Sequence, residues 1–390
     1  MSALRANGSG FGSCAGKIPC LSLFFLCVLR VLCGEKALLV LGIESSCDET
    51  AAALVADGKT ILSSVVASQV EIHARFGGVV PEVASRAHAE CVSRIIEQAF
   101  TEAGLPNPEP RTPNPAVDGI AVTVRPGLAG SLLVGTSAAT ALALAWDRPI
   151  VGVHHLHAHA YAPYLAGVAE YPFACLVASG GHTSIYECRA PLEVELLGQT
   201  IDDAAGEAFD KAAAVLGLGF PGGPAISRAA AGGDPRAYDF PRSKLADADD
   251  DFSFSGLKTA LLYAVEGPGL KGPKLELTDQ LRSDLAASFE QAVCEILVGK
   301  LLRAAERRGL RTVSIAGGVA ANRKLRAMLA ERAASEGLRA AVAPAGLCTD
   351  NAAMVAALGF HQLARGEGRS TGRLALAIAP ELERPARRKR

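Results

Sequence analysis

The chain has 390 residues, 49% hydrophobic and 20% charged, which is enough apolar sequence to bury cores in two or three domains. That excludes a disordered or collagen-like chain despite 40 Gly and 21 Pro. Formal net charge is −1, but residues 1–34 hold Arg5, Lys17 and Arg30 with no acid, and residues 384–390 hold five basic side chains, leaving −9 for 35–383. A mildly acidic body excludes a broadly basic nucleic-acid-binding surface, so any polyanion contact has to be local.

The first feature along the chain is the apolar run IPCLSLFFLCVLRVLC at 18–33. Arg30 interrupts it and it falls short of the roughly 20 apolar residues that span a bilayer, so no stable membrane insertion is expected. An acid-free, basic leader fits an organelle transit peptide better than a secretory signal. Four of the ten cysteines (Cys14, Cys20, Cys27, Cys33) lie in it. The other six (Cys47, Cys91, Cys175, Cys188, Cys294, Cys348) form no CxxC pair and read as buried thiols of a reducing compartment. The expected organisation is a leader at 1–36, a first α/β domain at 37–150, a second at 151–380 and a basic tail at 381–390.

From Ala37 the sequence reads ALLVLGI, the polar turn ESSCDET, AAALVA, the Asp57-Gly58 turn and TILSSVV, a pattern that predicts three antiparallel strands. The unit recurs from Phe173 as FACLVAS, Gly180-Gly181-His182, TSIYEC and LEVELLG. Further apolar runs follow each copy, GIAVTV at 119–124 and TVSIAGG at 312–318. Such duplication predicts two related α/β domains with a cleft between them, the actin-like and Hsp70-like (ASKHA) architecture. Residues 103–116, with five prolines, read as a connecting loop, and 246–251, ADADDD, as an exposed acidic turn.

Three constellations could carry chemistry. His154-His155-Leu156-His157-Ala158-His159 places His155 and His159 one helical turn apart, as two ligands of one metal require; a polar helix without metal is the alternative, and no Glu follows His155 to make HExxH. Paired glycines end two apolar strands, at Ser179-Gly180-Gly181 and Gly317-Gly318, where backbone N–H groups can cradle an anion; an ordinary tight turn is the alternative. Pro221-Gly222-Gly223-Pro224 is a third such turn. The GxGxxG match from Gly217 to Gly222 follows a helical stretch and contains Pro221, so it is not a dinucleotide site, and no GxxxxGK[ST] occurs. In the predicted helix over 201–211, Asp203, Glu207 and Asp210 share one face that can bind hydroxyls or an amine, or simply be solvated. Asp350 precedes the apolar stretch AAMVAALGF, either as its N-cap or as the carboxylate the histidines lack.

Over roughly residues 38–378 the chain resembles the tRNA N6-adenosine threonylcarbamoyltransferases, a family formerly described as glycoproteases. The likeness rests on ordered blocks: LGIESSCDET (41–50), GGVVPEVASRAH (77–88), PGLAGSLLVG (126–135), HHLHAH, SGGHT (179–183), IDDAAGEAFDK (201–211), PGGP, FSFSGLK (252–258), AGGVAANR (316–323) and CTDNAAM (348–354). It implies an actin-like two-domain fold and transfer of L-threonylcarbamoyl from threonylcarbamoyl-AMP to N6 of adenosine 37 in tRNAs that read codons beginning with A. Carried over residue by residue, the metal ligands are His155, His159 and Asp350, holding one divalent ion, iron-type by family habit, with zinc or magnesium compatible with the ligands. The substrate segment is Val177, Ala178, Ser179, Gly180 and Gly181, with Asp210, Gly223 and Asn322 as further contacts to the nucleotide. No side chain is an obvious general base; Asp48, Glu49 and His182 are candidates through their place in motif loops.

The chain departs from the family at Leu156-His157-Ala158, where relatives often carry Met-Glu-Gly or Met-Glu-Ala, and at LALAIAPELE (374–383), which lacks expected arginines; the terminal RRKR is a candidate electrostatic substitute. The transit-like leader points to mitochondria and, with the acidic body, to a homodimer. Plastid targeting, or the cytoplasm if the true start lies downstream, are the alternatives. A metal-dependent peptidase and a nucleotide-binding actin-fold scaffold are the competing functions.

Overall fold

The computed structural model describes residues 38–107, 116–242, 250–267, 276–369 and 376–381. The expected leader and all but the first residue of the expected tail lie outside the described residues, as do parts of the 103–116 loop and the 246–251 turn. The described residues from Leu38 onward form one compact unit.

Fully buried apolar runs make the centre of each sheet, because strands covered on both faces need no polar alternation. In the first sheet, β1 (Leu39–Glu44), β2 (Glu49–Ala56) and β3 (Thr60–Ser68) form the expected antiparallel meander, and β4 (Gly119–Arg125) and β5 (Ile150–His154) add in parallel to give the order β3-β2-β1-β4-β5. The second sheet repeats it: β6 (Phe173–Ala178), β7 (Thr183–Ala190) and β8 (Glu193–Gln199) are antiparallel, and β9 (Thr312–Ala316) and β10 (Arg339–Ala340) add in parallel, giving β10-β9-β6-β7-β8. The duplication read from the sequence is therefore a duplication of topology.

Between β3 and β4 run α1 (Val70–Ala74) and α2 (Pro81–Glu102), and α3 (Ala129–Trp146) follows β4. Helices α2 and α3 cover one face of the first sheet, burying Ile95, Ile96, Phe100, Ala139 and Trp146 against β1 and β4 residues. The second sheet carries α5 (Ala205–Leu216), α6 (Gly222–Ala230), α7 (Ser255–Glu266), α8 (Asp279–Arg307) and α9 (Arg323–Ser335). Their apolar faces form the largest core, around Phe209, Phe252, Phe254 and Phe289.

Helix α4 (His155–Leu165), buried except for the half-buried His157 and Tyr164, joins the two halves. Its Ala158, Tyr161 and Leu165 pack with Val151 and Val153 of the first sheet, while Leu156 and Ala160 pack with Cys175 and Val177 of the second. After α10 (Ala345–Cys348), α11 (Ala352–Ala364) returns to the first sheet, where Met354 and Val355 share a core with Val40 and Ala53. A Cβ on Gly42 would stand 2.3 Å from the Ala352 carbonyl oxygen, so only glycine lets α11 lie this close to β1. With β5 and α11 both on the first sheet, the chain crosses the expected 150/151 boundary in both directions.

Two local expectations need correction. Asp202 and Asp203 precede α5, whose N-cap is Ala204, so Asp203 does not share a helical face with Glu207 and Asp210. The Lys211 ammonium instead bridges Asp203 and Glu207 at 2.7 Å each. In the acidic turn, Asp250 pairs with Arg307 and Asp251 accepts the Gln199 N–H at 2.9 Å, so its described end is tied to neighbouring elements. The six cysteines outside the leader are free, all but Cys47 buried.

Candidate functional site

The site lies where α4 meets the ends of β1, β6 and α11. His155 and His159, one turn apart, set their rings edge to face with centroids 4.6 Å apart. The Asp350 Oδ1 lies 2.9 Å from His159 Nε2 and 3.5 Å from His155 Nε2. Asp350 is free to do this because the neighbouring Asn351 is the α11 N-cap, its Oδ1 accepting the Met354 N–H at 2.9 Å. Of the two roles the sequence left open for Asp350, the N-cap falls to Asn351, and Asp350 faces the two histidines.

One ligand atom from each of the three residues lies within 4.8 Å of the others. Two imidazoles and a carboxylate suit iron or zinc. The remaining nitrogen of His155 supports the same reading: its Nδ1–H donates to Glu44 Oε2 at 2.9 Å, which turns the Nε2 lone pair toward Asp350. Glu44 is fully buried, its carboxylate also accepting the Ser46 N–H and the Thr123 hydroxyl, both at 2.6 Å. Glu44, Thr123 and Ser46 were not singled out in the sequence. The available signal was an acid closing a wholly apolar strand, since a buried carboxylate has to be paired.

The charges are tightly coupled. Burial disfavours the His155 imidazolium, but the negative charges of Glu44 and Asp350 outweigh it and raise His155 to about 9. Burial likewise pushes Asp350 up, and the His155 charge and the His159 hydrogen bond hold it well below the usual carboxylate range. Burial lowers His159, so its ring is neutral at pH 7.

The three base candidates sort differently. Burial, then the charges of Asp350 and Asp48, raise Glu49 to about 9, so it carries a proton at neutral pH and is not itself a base there. His182, half-buried in the β6–β7 turn, is lowered to about 4 by burial and by the nearby His155 charge, which places that turn near His155, His159 and Asp350. Asp48 shares a hydrogen bond with Glu49.

Val177 and Ala178 end β6 with buried side chains, so only their backbone can meet a ligand. In the following turn the Ser179 N–H donates to the His182 carbonyl at 2.8 Å, which removes it from the expected anion cradle. Gly180 and Gly181 remain, exposed, with open space where a Cβ would stand. Helix α5 starts directly on this turn, the Gly206 N–H donating to the Ser179 carbonyl at 3.1 Å. Asp210 accepts the Gly222 N–H at 2.7 Å, and burial followed by the Asp48 charge raises it, so Asp210 and Asp48 approach each other from the two halves. Gly223 faces open space. The Asn322 side chain is engaged within the fold: Oδ1 caps α9 by accepting the Leu325 N–H at 2.9 Å, and Nδ2 donates to Glu290 at 2.8 Å and Ser227 at 3.1 Å.

Two topologically equivalent sheets, with His155, His159 and Asp350 gathered at the helix between them and open glycines at Gly180, Gly181 and Gly223, define a duplicated α/β fold with a candidate metal site. The full-length HypF structure, in its phosphate- and nucleotide-bound form, shares the fold at TM-score 0.55 and 13% identity, over 84% of this chain and 56% of that one. The family model "TsaD: tRNA N6-adenosine threonylcarbamoyltransferase" matches residues 60–357. Proteins named tRNA N6-adenosine threonylcarbamoyltransferase from Anaeromyxobacter dehalogenans (strain 2CP-C) and Symbiobacterium thermophilum are 53% and 50% identical, covering 84% and 83% of this chain and 95% and 91% of theirs. A third, from Rhodopirellula baltica, is 47% identical over 89% of this chain and 97% of its own. The chain belongs to the tRNA N6-adenosine threonylcarbamoyltransferase family.

Proposed function

We propose that the chain transfers L-threonylcarbamoyl from threonylcarbamoyl-AMP to N6 of adenosine 37 in tRNAs that read codons beginning with A. The observation that carries the reading is the convergence of His155, His159 and Asp350 beside the Ser179–Gly181 turn, in a chain whose relatives bear that name. The cleft holds the acidic side chains of Glu44, Asp48, Asp210 and Asp350, whose negative charge would repel an adenylate phosphate unless a cation offset it. A divalent ion held by His155, His159 and Asp350, iron-type by family habit, would supply that charge and polarise the acyl phosphate.

The chain's own groups do the rest. The Gly180 and Gly181 N–H groups receive the phosphate, whose charge grows as AMP leaves. The N6–C bond forms, the C–O bond to phosphate breaks, and N6 gives up a proton. Glu49 holds a proton at neutral pH and His182 is a weak base, so Asp48 is left as the acceptor among the three candidates. Asn322 acts at a distance, holding the turn after β9.

The test uses the purified chain with threonylcarbamoyl-AMP and an unmodified tRNA of this decoding class, read by nucleoside mass spectrometry. Threonylcarbamoyladenosine is expected. No product, even with bacterial-type partner subunits added, overturns the reading. We also propose that the enzyme works as a homodimer in mitochondria. The exposed side chains of Ile72 and Phe76 near α1 support an apolar contact between copies, and the acid-free leader supports the targeting. Light scattering and a leader–reporter fusion check the two.

A further inference from the structure

Two buried histidines, His73 and His88, stand outside the metal cluster. His88, on α2, uses both ring nitrogens. Nε2–H donates to the Cys47 carbonyl at 2.9 Å, and Nδ1 accepts the Thr50 hydroxyl at 2.7 Å. A carbonyl can only accept, which fixes the tautomer. Thr50 Oγ1 in turn accepts the Cys91 S–H at 3.1 Å. His73 extends the network, its Nε2–H donating to Gln69 Oε1 at 3.1 Å.

This network grips one short segment. Between β1 and β2 three consecutive carbonyls are held from outside: Ser46 by the Leu128 N–H at 2.8 Å, Cys47 by His88, and Asp48 by the Gln69 N–H at 3.0 Å. His88 provides the one short side-chain bond among them, since Ser131 Oγ reaches the Cys47 carbonyl only at 3.4 Å. The next two residues are Asp48 and Glu49, and Glu49 lies close enough to Asp350 to feel its charge.

We propose that His88 is a positioning residue, which through the Cys47 carbonyl fixes the direction in which Asp48 and Glu49 enter the cleft beside the metal centre. The proposal rests on the transfer reaction above, in which Asp48 accepts the N6 proton. A misplacement of about 1 Å in a reacting group lowers turnover on the order of 100-fold. A bond that holds the backbone one residue before Asp48 acts on that scale.

Truncation to alanine would strand a buried carbonyl and hydroxyl and could unfold the chain, so the test uses two amides. His88→Gln places an N–H near the Nε2 position and keeps the bond to Cys47. His88→Asn keeps an acceptor for Thr50 but falls short of Cys47. With the full chain, His88→Gln is expected to stay within about threefold of wild-type turnover, while His88→Asn loses about 10- to 100-fold in kcat with KM for threonylcarbamoyl-AMP within about twofold. Full turnover in His88→Asn, or losses in both variants that simply follow their melting temperatures, would overturn it. Hydrogen exchange across Cys47–Thr50 gives a readout independent of the reaction. Faster exchange in His88→Asn alone supports positioning even if the wild type transfers nothing, an outcome that would sink only the functional reading, and equal exchange in all three forms overturns the positioning itself.

Discussion

Glu44 Oε2 accepts the His155 Nδ1–H at 2.9 Å across 111 residues of sequence, and both side chains are buried. The pair ties the end of β1 to the start of α4 and sets which His155 nitrogen faces Asp350. Glu44→Gln keeps the shape and removes the charge. Metal affinity is expected to fall about 10- to 100-fold, measured by calorimetric titration of the metal-free protein, with the fold intact by circular dichroism.

His155→Ala, His159→Ala and Asp350→Asn should each abolish stoichiometric metal loading and lower transfer by about 100-fold or more. Elemental analysis and nucleoside mass spectrometry on the same preparations check this. Full transfer by His155→Ala would remove the metal assignment.

The raised His155 sets a pH dependence. In the metal-free protein its folded value, about 9, lies above the ordinary 6.5, so its contribution to stability is complete below pH 6.5 and is lost as pH rises through 9. The metal-free melting temperature should therefore fall over that window more than that of the loaded protein. Metal uptake displaces the proton, so apparent affinity should rise toward pH 9, with proton release visible as a buffer-dependent heat.

Gly317 has φ +87°, and a Cβ there would stand 2.3 Å from the Ala178 carbonyl oxygen. Gly317→Ala is expected to cost about 1–3 kcal/mol by denaturant unfolding, because a left-handed backbone and a backbone clash coincide. The displaced end of β6 should also raise KM for threonylcarbamoyl-AMP.

Asn322→Ala removes the α9 cap and leaves the buried Glu290 with one partner fewer. A loss of about 1–3 kcal/mol is expected, read from urea unfolding. If Asn322 instead bound the nucleotide through its side chain, KM would rise without that loss.

Much of this molecule was legible in the sequence. Wholly apolar runs broken by Asp57-Gly58 and by Gly180-Gly181 gave the strand meanders, because burial on both faces leaves no polar alternation and tight turns demand particular residues. The repeat of that pattern gave the duplicated fold, and the one-turn spacing of His155 and His159 gave two of the three residues of the candidate metal site. Local patterning fails where the partner is distant. Nothing near Asp350 in sequence distinguishes an N-cap from a ligand; packing of α11 on β1 gives the cap to Asn351 and brings Asp350 to α4. The Glu44 clamp, the commitment of Asn322 to Glu290 and the grip of His88 on Cys47 likewise depend on chain segments 32 to 111 residues apart. Periodicity and turn chemistry are properties of neighbours along the chain, and they determined the elements. Which buried polar group finds which partner is settled only when those elements pack, because an unpaired donor or charge in the core is too costly to leave.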